Sequence, residues 1–251
     1  MATSNLHGLL LLSDSALPLG SFAFSSGLES FLAHHKREHT TSTSRLVAFD
    51  VFLEQSLANV ASTALSYVLA AYNASNRLLD LDNDFDASTP CTVARRASIS
   101  QGRALIGVWE KALLPSIQPD ESSRATVEEL TAFSAALKSP PSSSPHGLGV
   151  HAHFAPLFGA VCRALHLSAH DTAYLFLLNH AKAVLSAAVR ASVMGPYQSQ
   201  AVLASHKLRS SIHRCVEREQ TREVADACVT VPAMDLWMGR HELLYSRIFN
   251  S

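Results

Sequence analysis

The placement of glycine and proline along the chain is the feature that most restricts its fold. The 10 glycines and 10 prolines are concentrated in a few short stretches, such as residues 17–20, 139–145 and 195–196. The long segments between these stretches are rich in alanine and leucine, which favour helices, whereas proline and glycine end them. No segment shows the two-residue alternation of a half-buried strand. The sequence therefore predicts an all-α protein.

Residues 45–74 carry the clearest helical pattern. Apolar side chains recur there every three or four positions, which is the spacing of one helical face, at Leu46, Phe49, Leu53, Leu57, Val60, Ala64 and Val68. Similar patterns predict further helices over residues 25–35, 92–114, 121–137, 151–166, 168–193, 198–229 and 235–249. We expect about eight to ten helices in a single domain that spans residues 1–251, because the composition does not change along the chain.

Two stretches are predicted to be loops. Residues 80–90 are rich in aspartate and are interpreted as an acidic loop. Residues 139–145 read SPPSSSP, a composition typical of linkers, so a flexible loop is expected near residues 138–147. The Ser/Pro stretch is not expected to carry chemistry.

Charge and cysteine content exclude several classes of protein. Charged residues make up 16% of the chain and the net charge is −1, which argues against a nucleic-acid binder or a polybasic membrane anchor. The four cysteines are far apart and form no CxxC motif, which indicates a reducing compartment. We see neither a signal peptide nor a long uncharged apolar segment. These features predict a soluble cytoplasmic protein.

The sequence contains no motif typical of a catalytic or metal site. A Walker A loop, a GxGxxG fingerprint, a GxSxG elbow and an HExxH motif are all absent. The 13 histidines include the pairs His151/His153 and His166/His170, but Ser168 is expected to begin a new helix between the second pair. These absences argue against a nucleotide-dependent enzyme, and we predict no cofactor and no metal site, because the histidines are expected to pack or to face solvent.

The candidate functional residues are arginines and aromatics, which are common at protein interfaces. In the predicted C-terminal helix, Arg240 and Arg247 lie seven positions apart and should share one face, beside an apolar stripe of Trp237, Leu244 and Ile248. Earlier in the chain, a polar stripe that ends at Arg190 either faces solvent or presents that arginine to a partner. The predicted partner-binding residues are Arg190, Trp237, Arg240, His241, Glu242, Tyr245, Arg247 and Phe249. Docking of the C-terminal segment on its own core or on another chain remains open.

Three parts of the chain carry recognisable motifs in a fixed order. Residues 11–29 read LLSDSALPLGSFAFSSGLE. The middle part has HFAPLFG at 153–159 and SAAVR at 186–190. The end has RHE at 240–242 and YSRIFNS at 245–251. Together these motifs span nearly the whole chain, and they resemble the urease accessory proteins of the UreF family.

That resemblance implies a function without catalysis. It implies a UreF-like helical bundle that forms a homodimer. Such a dimer joins the accessory protein UreD, also called UreH, and the GTPase UreG to apo-urease, where it assists nickel insertion and modulates the GTPase. The C-terminal end would dock on UreD, and the arginines to test first are Arg190, Arg240 and Arg247.

The chain departs from the family pattern in a few places. Ser21 stands where a second glycine is common, and Ala155 stands where proline is common. The stretches at 80–90 and 139–145 are interpreted as insertions that touch no matched segment. Two other interpretations remain open, a generic helical adaptor and a metal-dependent helical enzyme built on the histidines. Co-purification with urease maturation proteins would separate the first from the family function, and metal analysis would separate the second.

Overall fold

The computed structural model describes residues 2–35, 42–139 and 149–250. Within these ranges the chain forms α-helices, shorter 3₁₀ and π turns and no strands, which confirms the all-α prediction. The α-helices are α1 (Ala2–Ser13), α2 (Leu28–His35), α3 (Ser42–Val60), α4 (Ser66–Asn73), α5 (Leu78–Ser88), α6 (Thr92–Val108), α7 (Arg124–Lys138), α8 (Phe154–Ala164), α9 (Ala169–Arg190), α10 (Pro196–Leu203), α11 (His206–Glu219) and α12 (Pro232–Arg240).

Helices α3 and α4 form one continuous rod. A π turn at Ala61–Leu65 joins them, so the predicted helix over 45–74 is confirmed. Counting this rod once, the described residues form eleven helices, slightly more than expected. The additional helices are α1, α5 and one that arises because the predicted helix over 198–229 is divided into α10 and α11.

Helix α8 lies at the centre of the protein and packs closely on α4. Nearly all of its residues are buried. Gly159 of α8 meets α4 so closely that a Cβ at this position would lie 2.0 Å from the carbonyl oxygen of Val68. Around this contact the buried apolar side chains form one contiguous cluster. Of the predicted Ser/Pro loop near 138–147, residues 140–147 lie outside the described residues.

The prediction of an acidic loop at 80–90 is wrong, because most of this stretch is helix α5. Leu78, Leu81 and Phe85 are buried on one face of α5, and this apolar spacing outweighs the weak helix propensity of its aspartates. The stretch also touches a matched segment. The buried Asp82 carboxylate accepts hydrogen bonds from the backbone N–H groups of residues 151–153.

The predicted helix over 198–229 is divided in two and ends earlier than expected. The segment 198–229 is interrupted after α10, where the Ser205 side chain caps α11 by accepting from the Leu208 N–H at 3.1 Å, and α11 ends at Glu219. The predicted cap of α9 is confirmed, because Ser168 Oγ accepts from the Asp171 N–H at 3.0 Å. The positive φ of 60° at His166 separates α8 from α9, so His166 and His170 do not share one helix.

Helix α9 is long and apolar enough to span a membrane by length and composition alone. However, 56% of its most apolar window is buried inside the protein. Ala181, Val184 and Ala188 are among the residues that contact the core. These contacts are those of a central core helix, and they make the apolar composition weak evidence for a membrane span.

Candidate functional site

The C-terminal tail, residues 241–250, folds back onto the N-terminal loop, residues 14–27. After α12 a single 3₁₀ turn, His241–Leu243, redirects the chain. The Asn250 N–H then donates to the Ala23 carbonyl at 2.8 Å. The Glu29 carboxylate accepts from the N–H groups of Ile248 at 2.8 Å and Phe249 at 3.2 Å. The tail therefore docks on its own chain.

Phe249 and His241 form the buried part of this contact. The Phe249 side chain is 4% exposed and His241 is fully buried. His241 Nε2 lies 3.0 Å from the Phe249 carbonyl oxygen, and because a carbonyl can only accept, Nε2 carries the proton. The opposite ring nitrogen, Nδ1, lies 3.8 Å from a Glu29 carboxylate oxygen. Glu29 thus faces both the His241 ring and the backbone of Ile248 and Phe249.

The polar stripe on α9 binds the N-terminal loop and its flanks through backbone carbonyls. Asn179 donates to the Leu12 carbonyl at 3.0 Å, and Lys182 donates to the Ser13 carbonyl. Arg190, at the end of the stripe, donates to the Phe22 carbonyl. Burial lowers the pKa of Lys182 and of Arg190. The stripe therefore contacts other parts of the chain, although Ser186 and Arg190 remain exposed to solvent.

Arg190 links the N-terminal loop to the tail. Its guanidinium carbon lies 4.4 Å from the centre of the Phe249 ring, a distance suited to a cation–π contact.

Gly27 lies where the N-terminal loop contacts α12. Its backbone has a φ of +83°, and a Cβ there would lie 3.0 Å from the backbone nitrogen of Met238. The GLE motif therefore needs glycine to let α12 approach.

A cluster of charged side chains borders the tail at the surface. Arg96 of α6 donates to the Glu242 carboxylate and, at 3.0 Å, to the Asn250 carbonyl. Arg247 donates to the other Glu242 oxygen at 2.8 Å. These hydrogen bonds, first from Arg96 and then from Arg247, lower the pKa of Glu242. Glu242 is therefore held as a carboxylate between two arginines.

The structure brings five of the eight predicted residues together, namely Arg190, His241, Glu242, Arg247 and Phe249. Trp237 instead packs its ring against Phe31 at 5.7 Å, Arg240 is exposed at the end of α12, and the Tyr245 side chain projects fully into solvent.

The predicted helix over 235–249 is wrong beyond α12, so Arg240 and Arg247 do not share a helical face and the stripe with Leu244 and Ile248 does not form. The tail backbone bonds to Glu29 and Ala23 instead of continuing a helix. Three contact residues were not predicted. Glu29 lay in the quoted GLE motif and Asn250 in the terminal motif, whereas nothing in the sequence marked Arg96.

The docked tail leaves an apolar rim on the surface. In the N-terminal loop Phe22 is 66% exposed, and in the tail Leu243 is 77% and Ile248 63% exposed, while Tyr245 is fully exposed. Large apolar side chains clustered beside arginines are typical of protein-binding surfaces. No group of three His, Cys, Asp or Glu side chains suited to a metal occurs in the parts of the chain that the structure describes.

Two adjoining cavities of about 200 Å³ each lie beneath the N-terminal loop. They share walls formed by Phe24, Phe154, Phe176 and His180. His180 Nε2 lies 2.8 Å from Ser56 Oγ, and the accessible part of the imidazole faces these cavities. Burial lowers the pKa of His180 to about 4, so this histidine is neutral in the folded protein near pH 7.

The buried His180 predicts an acid-sensitive stability. Its pKa is about 6.5 in the unfolded chain and about 4 in the folded one, so between these values only the unfolded state binds the proton. The free energy of unfolding should therefore fall as the pH drops from about 6.5 to about 4, by about 3 kcal/mol from this one group. Chemical denaturation of His180→Gln across this window should show a shallower pH dependence than the wild type.

The exposed His206 on α11 offers a matched control for that measurement. His206→Gln should keep the wild-type pH profile. His153, whose pKa burial also lowers, contributes in the same direction in all three proteins. Equal pH slopes for the wild type and His180→Gln would contradict the assignment of a neutral buried imidazole.

Fold and site together define an all-helical protein in which the two ends of the chain form one surface. The family model UreF matches residues 47–207. A UreF-like urease accessory protein of Schizosaccharomyces pombe is 37% identical over 98% of this chain and 97% of its own length. Urease accessory protein F of Arabidopsis thaliana is 29% identical, covering 95% of this chain and 89% of its own length. UreF of Haemophilus influenzae (strain Rd) is 25% identical, covering 99% of this chain and 96% of its own length. The chain belongs to the UreF family.

Proposed function

We propose that this protein is a urease accessory protein that acts as a scaffold. It joins UreD (UreH) and the GTPase UreG to apo-urease, so that nickel is inserted and the urease matures. The protein modulates the GTPase and performs no catalysis of its own. We propose that it works as a homodimer in the cytoplasm, without a resident metal or cofactor.

One structural observation supports this proposal in addition to family membership. The N-terminal and C-terminal motifs lie about 220 positions apart in the sequence, yet they contact each other through Glu29 and Ile248. Arg190 of the SAAVR motif contacts both of them. A fold that needed these motifs only for stability would not have to expose Tyr245, Leu243 and Ile248 around them. Their common surface supports a role in holding a partner.

The contacts separate the three arginines by role. Arg190 is engaged with the Phe22 carbonyl and the Phe249 ring, so it positions the tail. Arg240 is exposed, and the Arg247 side chain, although it bonds Glu242, is 42% exposed. We propose that Arg240 and Arg247 contact UreD or UreG directly, and that Trp237, packed beside α2, supports α12.

A pull-down with UreD and UreG, followed by urease activation in a strain that lacks this gene, tests the proposal. We expect a retained ternary complex and restored urease activity. Arg240→Ala and Arg247→Ala should weaken capture of UreD or UreG without lowering the melting temperature. No capture and no rescue by the wild type would contradict the scaffold function and favour a helical adaptor with other partners. Stoichiometric tightly bound metal in the purified protein would instead favour the histidine-based enzyme.

Glu29→Gln should release the C-terminal tail. The amide keeps one acceptor oxygen but turns N–H donors towards the N–H groups of Ile248 and Phe249, so bonds to a carboxylate worth about 1.5–3 kcal/mol are weakened. We expect the fraction of undocked tail to rise by about tenfold or more. Limited trypsin digestion should then cleave after Arg247 correspondingly faster, since cleavage follows the open population. Capture of UreD should weaken as well.

Glu128→Gln is the matched control, because Glu128 is exposed on α7 and far along the chain from the tail. Its tryptic cleavage after Arg247 should match the wild type. If Glu29→Gln releases the tail but captures UreD normally, the docked tail is not the binding surface. If it does not release the tail, Glu29 is not its anchor.

A further inference from the structure

A groove rich in arginine runs along the outer face of α6 to the tail. We define the arginine groove by Arg95, Arg96, Ile99, Ser100 and Arg103 of α6, together with Arg247 of the tail, which meet around two adjoining surface depressions. Arg96 and Ser100 line both depressions. The groove is therefore a continuous surface, although the protein as a whole is nearly neutral.

The charges of the arginine groove are only partly balanced within the chain. Asp86 neutralises Arg95, and Glu242 lies between Arg96 and Arg247. Arg103 is exposed and forms no ion pair with any residue that the structure describes. Four arginines against two carboxylates leave an excess of two positive charges at this surface. That excess favours an anionic partner.

The carboxylates of Asp86 and Glu242, which the groove arginines already bind within the chain, indicate which kind of anion fits. Arg95 holds Asp86 through two guanidinium nitrogens, a paired arrangement that suits planar carboxylates. Glu242 bridges two arginines while its own side chain remains 38% exposed. A partner carboxylate could take the place of Glu242 without opening the core. Arg103 lies seven residues from Arg96, about 10.5 Å further along the helix, and offers a second position.

We propose that the arginine groove binds an acidic segment of a partner protein. Two carboxylates of that segment, about 10 Å apart, pair with Arg103 and with the Arg96–Arg247 pair. Glu242 is the internal competitor that occupies the second position in the free protein. This inference shares Arg247 with the scaffold proposal and adds to it the outer face of α6 and an acidic partner chemistry. It holds whichever protein supplies the segment.

Fluorescence anisotropy with a labelled peptide tests the proposal. The probe is an alanine-based helical peptide with two glutamates seven positions apart, and the control peptide has glutamine at both positions. We expect only the glutamate peptide to bind. Arg103→Glu should weaken its binding by about tenfold or more, because attraction becomes repulsion. Arg209→Glu, a charge reversal at an exposed arginine of α11, should leave binding unchanged.

Glu242→Gln distinguishes an internal competitor from a merely structural residue, because only the loss of a competitor would tighten peptide binding. Removing the internal competitor should tighten peptide binding by about two- to fivefold, the range expected for a solvent-exposed ion pair. Weaker or unchanged binding by Glu242→Gln, with an unchanged melting temperature, would overturn the competitor role. Equal peptide affinity of Arg103→Glu and Arg209→Glu would overturn the site itself.

Competition and self-association measurements test two other occupants of the groove, a non-protein anion and a second copy of this chain. A short DNA duplex or inorganic pyrophosphate that displaces the peptide at equal charge concentration would show general anion attraction and overturn the proposal. Sedimentation of the wild type and of Arg103→Glu tests whether a second copy of this chain occupies the groove. Self-association that Arg103→Glu abolishes would make the other copy the occupant and would also overturn it.

Discussion

Gly159→Ala is expected to lower the free energy of unfolding by about 3 kcal/mol or more, because it forces apart two central helices. The added Cβ would lie 2.0 Å from the carbonyl oxygen of Val68 and 2.9 Å from its carbonyl carbon. Both atoms belong to the backbone of α4, so no side-chain rotation can relieve the overlap. Helix α8 must shift, and it lies among the most buried residues of the protein. Thermal unfolding should show a melting temperature lower by about 6–12 °C.

Gly107→Ala makes the same chemical change where there is room for it. Gly107 lies in α6, and a Cβ there meets no atom within 4 Å. Alanine is the better helix former by about 1 kcal/mol, so this variant should be as stable as the wild type or slightly more stable. Equal melting temperatures for the two variants would mean that α4 and α8 do not approach as closely as described.

Asp82→Asn is the second change with a large expected effect. The fully buried carboxylate accepts three backbone hydrogen bonds, from His151 at 2.8 Å, Ala152 at 3.1 Å and His153 at 2.6 Å. An asparagine of the same shape removes the negative charge and points its own N–H groups at some of these donors. Leaving buried donors unpaired and losing charged hydrogen bonds should together cost about 3 kcal/mol or more.

The three donors precede the first turn of α8, and Ala152 among them has a φ of +65°. The Asp82 charge thus holds an unfavourable backbone turn and faces the positive end of a helix. Chemical denaturation with fluorescence detection measures the loss. Asp80→Asn, at an exposed position of the same helix, should change the stability by less than about 0.5 kcal/mol. A similarly small change for Asp82→Asn would contradict the anchoring role.

The helices that sequence reasoning predicted well are those whose apolar spacing is local. The 42–73 rod and α9 each present a long periodic face and, in α9, a serine cap. Helix α5 was missed because its aspartates suggested a solvated loop. The benefit of burying Asp82 comes from three N–H groups about 70 positions away, and no local pattern reveals such a partner. The break between α10 and α11 and the end of α12 were missed for related reasons.

The candidate site was predicted in its residue types but not in its arrangement. Arginine and aromatic content marked Arg190, Arg247 and Phe249 as binding residues, and the motifs marked Glu29 only as part of a signature. The helical spacing predicted that Arg247 shares a face with Arg240, whereas Arg247 lies in the tail beyond α12 and bonds Glu242. Arg96 could not be found, since an arginine on an amphipathic helix ordinarily faces solvent.

The sequence by itself determined the all-helical class, through alanine, leucine and the concentration of glycine and proline in a few stretches, and it determined the family through motifs in a fixed order. These properties depend on local propensity and residue identity, which any single sequence displays. Only the tertiary structure decided that the C-terminal tail leaves the helix and lies on Glu29 and Ala23, and that Asp82 is buried. The physical reason is that backbone N–H groups and buried carboxylates must find hydrogen-bond partners. Where those partners lie far away in the chain, packing alone brings them together.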